Sequence, residues 1–500
     1  MKTVNIMNFV RTFEPRDIEA ERLLLDTARA ELQLVNEMRL PATFLLEYDA
    51  LVDERYVELF TNEAGSNIEL GLWYEIVEPL TTDIGIPYNS KRGYRWDWGI
   101  DPGYPMSYDN ATKERLIDQA MNKFREVFGH YPRTVGSWVI DTYTYNYLKD
   151  NYKLDAVCIC RDQINTDAYT MVGGYFNGLY FPSQNNIFTP SKEPRLQNDV
   201  PVARLLGPDP IHNYDGRKHL SENLMGQTTV FTLEPASEAG RDPRCVDWFF
   251  RTFFKNESLS QAYCQIGQEN SFSTYDLVTP LRMQFEKLIE MGIRFEKMCD
   301  TGAHFRREFG RTPAAAVTAL DNWDSPDIQS VQYSSYRYTA NIFRRDSVAT
   351  IRNLYFFDNR VKDTYLTEKC TTFDSIHENM PIVDTYYQRG ETDGGEGIIL
   401  DTGVASLGVK AIGDNKMLVS LGDSEVIFDE DRIKLVGCKP IFTPLMNNTK
   451  IELTEGGLSY CYKGHSYALK IEGGSAEWQG ESIVIIPDSD TITLIPTECI

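Results

Sequence analysis

Across 500 residues no uninterrupted apolar run approaches the roughly 20 residues that a bilayer-spanning helix needs, so an integral helical membrane protein is excluded. No C-x-x-C pair exists. The nine cysteines stand at 158, 160, 245, 264, 299, 370, 438, 461 and 499, an odd and scattered set. Free thiols in a reducing cytoplasm are the simplest reading. The N-terminus lacks the long apolar core and small-residue cleavage site of a signal peptide, which agrees with a cytoplasmic location. No glycine-rich phosphate loop follows a strand: Gly173-Gly174 and Gly394-Gly395 lack dinucleotide or Walker spacing. That disfavours nucleotide-dependent enzymes, and no cofactor is expected. Histidine is scarce, at six residues, and no pair has H-x-x-x-H spacing. His212 and His219 lie seven apart across Gly216, which is not a ligand signature, so no metal is assigned. The absence of G-x-S-x-G makes a standard hydrolase elbow a poor fit.

What is present is ordinary for a folded chain. Hydrophobic residues make up 42% and charged residues 25%, which argues against disorder. Lys+Arg 50 against Asp+Glu 73 leaves −23, a field that disfavours nucleic acid and anionic membrane surfaces as partners. A homo-oligomer is left open.

The first 325 residues alternate strand and helix signals. Thr3 to Val10, Pro41 to Glu47, Asn67 to Trp73, Thr134 to Ile140, Leu154 to Cys160, Val200 to Leu206, Thr228 to Leu233, Ala262 to Gly267 and Arg294 to Cys299 read as strands. Helices are predicted over 17–38, 111–127, 142–151, 243–254, 275–291 and 301–309. This alternation implies mainly parallel strands with helical crossovers, but does not choose between a barrel and an open sheet. From about Val331 the helical period gives way to short alternating runs with turns about every ten residues, the pattern of a β-sandwich. The expected layout is a β/α domain over 1–325, a β-rich connecting region over 326–390 and a β-sandwich over 391–500.

Active groups in α/β folds gather at the C-terminal ends of strands. The residues there are Arg11, Glu14 and Arg16; Glu47 and Asp49; Trp73 and Glu75; Asp141; Arg161 and Asp162; Asp209 and His212; Glu234 and Glu238; Gln268, Glu269 and Asn270; and Asp300. Carboxylates dominate, and two of them with separated pKa values suit glycoside hydrolysis. Asp141 and Glu269 are the first-choice pair, with Asp209, Glu75 and Glu234 behind them. Asp141 has a rival role as the N-cap of the helix that follows. Glu is a weak cap, which favours a functional role for Glu269. Trp96 and Trp98 lie with Tyr94, Tyr104 and Tyr108 in a loop without clear secondary structure, and Trp73 and Trp138 flank strand ends. Flat aromatic faces with polar neighbours suit sugar rings, although packing the loop onto the domain is an equal alternative. His212 and Arg161 complete the substrate-binding candidates.

The order and local pattern of residues 1–325 resemble the glycoside hydrolase/deacetylase superfamily of NodB-like deacetylases and family 57 and 38 glycosidases. The likeness is carried by the opening strand, PATFLLEYD, Ile68 to Trp73, and Thr134 to Leu148 (TVGSWVIDTYTYNYL). The resemblance implies an irregular seven-stranded (β/α) barrel with a β-rich C-terminal region. It places Asp141 at the nucleophile position, as Asp where family 57 has Glu. Cys264 to Phe272 (CQIGQENSF) matches the acid region, with Glu269 its nearest carboxylate. The superfamily's deacetylases use an Asp pair after the first strand and an H-x-x-x-H metal pair. Neither is present here. The expectation is therefore a bacterial glycoside hydrolase acting on an oligosaccharide. Its rivals are a metal-dependent deacylase of an acylated sugar using His212, and a non-catalytic glycan-binding protein.

Overall fold

The computed structural model describes residues 1–499 except 167, 206, 208, 212–231, 324, 326, 386–396 and 444–448. His212, and most of the strand expected from Thr228, lie outside the described residues.

The N-terminal half is built on a parallel sheet. β1 (Lys2–Val10), β2 (Ala42–Leu46), β3 (Ile68–Trp73), β4 (Thr134–Gly136) and β5 (Ala156–Cys160) lie side by side in that order. The Val202–Leu205 strand extends the sheet beyond β5, and the Ala262–Ile266 strand flanks β1 on the other side; every one of these pairings is parallel. Among the described residues no pairing joins the two outer strands, so the fold is a parallel β/α sheet rather than a demonstrated closed barrel. Strands covered on both faces read as continuous apolar runs, and β2 (ATFLL) and β5 (AVCIC) are buried at every position.

The crossovers follow from local chemistry. α1 (Ile18–Met38) starts where the Asp17 side chain accepts from the N–H groups of Glu19 and Ala20. It stops at Arg39, which takes a left-handed conformation with φ 55°. Its buried stripe of Leu24, Ala28, Leu32 and Val35 faces the sheet, each leucine contributing roughly 1.5–3 kcal/mol by burial. The Asn110–Phe128 helix is capped by Asp109 and ends at Gly129, whose φ of 79° suits glycine. Two expected strands are shorter than predicted. Residues after Gly136 leave the sheet, and the segment from Arg294 turns helical at Met298.

The C-terminal half is β-rich, as expected, but starts earlier. Ala315–Ala319, Gln329–Ser334, Tyr338–Arg345 and Val348–Phe356 form an antiparallel run that continues into Ile398–Thr402, Ile441–Phe442, Ser482–Pro487 and Gly474–Gln479. Residues 326–390, expected as a β-rich connecting region, supply strands to the same sheet as residues beyond 391. A second sheet runs from Gly408–Gly413 to Thr449–Thr454, and both sheets contribute to one apolar cluster that includes Tyr333, Phe356, Phe428 and Leu469. The halves are stitched together. Ser375–Glu378 pairs with Tyr169–Val172, and Ile100 N–H donates to the Phe373 carbonyl at 2.8 Å. Among the described residues no helix is long and apolar enough to cross a membrane.

Candidate active site

The C-terminal edge of the parallel sheet collects charge. β1 runs directly into Arg11, β2 into Glu47, β3 reaches Glu75 two residues on, and the Ala262–Ile266 strand leads through Gly267 and Gln268 to Glu269. All four side chains are buried, none more than 5% exposed. Arg11 Nη2 donates to Glu269 Oε2 at 2.9 Å. Its backbone is clamped by Asn270, which accepts from Arg11 N–H at 3.0 Å and donates to its carbonyl at 3.0 Å. The guanidinium lies 4.1 Å from the ring centre of Trp96, with Arg16 4.7 Å from the same ring. Arg16 is in turn held by Glu14 at 2.6 Å. Burial works against the charge on Arg11, but Glu269, Glu75, Glu47 and Glu14 outweigh it and raise its pKa.

The carboxyls differ from one another. Glu75 accepts from the indole N–H of Trp73 at 2.9 Å and of Trp96 at 2.6 Å. Burial raises its pKa, against the lowering pull of Arg11 and Trp96. No donor reaches either oxygen of Glu47. Burial, then the neighbouring Asp49 and Glu75, push its pKa well above the ordinary value, which favours the protonated acid. Asp49 accepts from Thr12 N–H at 2.7 Å and Thr12 Oγ1 at 2.8 Å. It also lines an open cleft of about 660 Å³ with Thr12, Phe13, Asp53 and Arg95. The cleft and the carboxyl cluster therefore share Asp49 as a wall.

The other predicted residues separate into groups. The buried Arg161 and Asp209 and the half-buried Glu234 interact through charge, and burial foremost lowers the pKa of Arg161. Glu234 accepts from Gln268 Nε2 at 3.2 Å, so this group adjoins the Glu269 loop. Trp73, Trp96 and Trp138 are buried at 1, 2 and 8% exposure, and Trp98 is half-buried. Trp73 and Trp138 pack on Phe9, with ring centres at 4.4 and 5.2 Å. Trp98 stacks with Arg92 at 3.7 Å. These rings orient arginines and Glu75 rather than presenting open faces to a sugar.

Asp141 is elsewhere and fully engaged. It caps the Thr142–Asn151 helix, accepting from Thr144 N–H at 3.1 Å and Thr144 Oγ1 at 2.7 Å. Lys113 Nζ, itself fully buried, donates to its Oδ1 at 2.9 Å. Asp141 is thus buried and held by three donors, and no hydrogen bond or ion pair joins it to Glu269 among the described residues. Sequence reasoning passed over Arg11 and Glu47. Both stood among the strand-end residues, but nothing in composition or spacing shows that β1 and β2 are neighbours, which is what brings the two together.

Neither a family model nor a curated protein matches the sequence. Solved structures do match. A glycoside hydrolase/deacetylase-type protein of Parabacteroides distasonis aligns with a TM-score of 0.52 at 13% identity, over 76% of this chain and 89% of that one. Polysaccharide deacetylase-type proteins align more weakly: that of Mycobacterium smegmatis has a TM-score of 0.37 at 13% identity over 62% of this chain and 93% of its own, and that of Pseudomonas aeruginosa 0.39 at 12% over 62% and 92%. The chain thus shares the fold of the Parabacteroides protein, in line with the resemblance read from the sequence. The glycoside hydrolase assignment is corrected. The matching Parabacteroides structure carries a joint glycoside hydrolase/deacetylase name, and deacetylation is a different reaction from glycosidic cleavage, so the fold does not give the chain a glycoside hydrolase activity.

The metal of the superfamily's deacetylases does not fit this site. The sequence resemblance implies an Asp pair after the first strand, and here that strand is followed by Arg11 and Thr12, with no Asp pair between Phe9 and Arg16. A guanidinium already sits among the carboxylates, and no three His, Cys, Asp or Glu side chains among the described residues are arranged to hold a metal ion.

Proposed function

We propose that this protein is a carbohydrate-active hydrolase that removes an acyl group from a saccharide at the C-terminal edge of its parallel sheet. One observation carries the reading: neighbouring strand ends hold two carboxyls in opposed surroundings, beside a fixed cation. Glu75 is oriented by two indole donors and has a raised pKa, which suits a general base for water. Glu47 has no cationic partner bonded to it, lies beside Asp49 and is strongly biased to the acid form, which suits proton donation to the departing sugar oxygen or nitrogen. Glu269 holds Arg11 in place. The cleft lined by Asp49 and Thr12, next to Arg11 in the chain, is the approach this reading assigns to the saccharide. The deacetylase names among structures of this fold support the acyl substituent as the target.

The test is mass spectrometry of acetylated and unacetylated oligosaccharides after incubation with the purified chain. Loss of acyl mass at constant chain length is expected. Shortened chains, or tight binding with no product, would overturn the proposal.

A further inference from the structure

We infer that Arg11 does at this site the electrostatic work that a divalent cation does in the superfamily's deacetylases, its Nη1–H donating to the acyl carbonyl oxygen. The inference rests on the acyl-hydrolase reading above and adds the group that stabilises its transition state.

The geometry of Arg11 is that of a fixed donor. Its backbone is held in both directions by Asn270, its Nη2 by Glu269, and its plane by Trp96. Nη1 has no hydrogen-bond partner, although the residue is 2% exposed. A buried donor left unmade costs about 1–3 kcal/mol, so Nη1 is a donor that an acceptor from outside the chain would satisfy. Charge decides which acceptor. Glu269, Glu75 and Glu14 act on Arg11 as carboxylates, so an anionic ligand would be repelled, whereas a neutral carbonyl oxygen is accepted. That oxygen becomes negative only in the transition state, where a preorganised donor is worth most.

The step balances without a further reagent. A water oxygen bonds to the acyl carbon while its proton passes to Glu75. The carbonyl π pair moves onto the oxygen beside Arg11 Nη1. When that pair returns, the bond from the acyl carbon to the sugar oxygen or nitrogen breaks, and the leaving atom takes the proton of Glu47. The products are a carboxylic acid and the deacylated sugar, and Glu47 and Glu75 exchange the transferred proton through solvent.

The experiment uses the full chain with 4-nitrophenyl acetate and acetylated oligosaccharides as probes, and compares Arg11→Lys and Arg11→Met with the parent. The expected result is a fall in kcat of about 10²–10³ with KM changed far less, the loss typical of one oxyanion donor. Dialysis against dipicolinate should leave the parent rate unchanged, and elemental analysis should find metal only below stoichiometry. A full rate in Arg11→Met, or a rate removed by chelation, would overturn the inference. If no probe is hydrolysed, the parent reading fails, and zinc titration by calorimetry decides the place of Arg11 separately. No one-to-one zinc site dependent on Glu75 supports Arg11 as the resident cation; a one-to-one site lost in Glu75→Gln refutes it.

Discussion

Asp141→Asn separates two accounts of one residue. Lys113 and Asp141 are both 0% exposed and meet at 2.9 Å, and the other recorded acceptor of Lys113 Nζ is the Tyr365 carbonyl at 3.1 Å. Asparagine caps a helix about as well as aspartate, so the Thr144 bonds survive and the cap contributes little to the loss. What disappears is the anion opposite a buried ammonium. Breaking one partner of such a pair costs about 3–5 kcal/mol. Lys113→Met should cost a similar amount by stranding Asp141. The double variant should cost less than the sum, because replacing a whole buried pair is far cheaper than halving it. A chain of this size need not unfold in one step, so native-state hydrogen exchange of the Thr142–Asn151 amides is the suitable readout. Turnover per folded molecule should stay near the parent value. Stability within ~0.5 kcal/mol of the parent, combined with lost turnover, would refute the structural account and return Asp141 to the chemistry.

Glu75→Gln should lower kcat by about 10²–10⁴, measured on the acetylated probes, since an amide cannot take the water proton. Trp96→Phe removes a donor that lowers the Glu75 pKa, so the acid limb of the pH–rate profile should move to higher pH. Glu47 has a native pKa raised above 4.5, so its contribution to stability is full below that pH and is lost as pH rises through the native value. Glu47→Gln should therefore gain stability relative to the parent in denaturant titrations at pH 8 but not at pH 4, while losing turnover. His377 is buried against Phe188, and burial lowers its pKa to about 3 from 6.5, the charge of Asp141 opposing. Its stabilisation is complete above 6.5 and is lost as pH falls toward 3, on the order of 5 kcal/mol over that window. Urea titrations of His377→Gln across pH 3–7 should show a flatter acid limb than the parent.

The limits of the sequence reading follow from what each signal encodes. The parallel strands were legible because apolar runs such as ATFLL and AVCIC bounded by capped helices have few other solutions. Strand ends failed where the backbone leaves the sheet while the residues stay apolar, as at Val139 and Ile140, which are buried outside any strand. The strand Ala315–Ala319, a run of five residues after the last predicted helix, went unread because so short an apolar run carries little period of its own. The candidate site shows the same limit more sharply. Arg11, Glu47, Glu75 and Glu269 were all visible as polar residues after a strand, yet the first choices were Glu269, which belongs with them, and Asp141, taken for its local motif. Its decisive partner, Lys113, lies 28 positions away on another helix. Arg11 and Glu269 are 258 positions apart and meet only because the Ala262–Ile266 strand pairs with β1. Local sequence can show which residues reach the working edge of the sheet. Which carboxyl is matched by a cation, and which is left protonated, is set by strand order, and strand order is not written in any one segment.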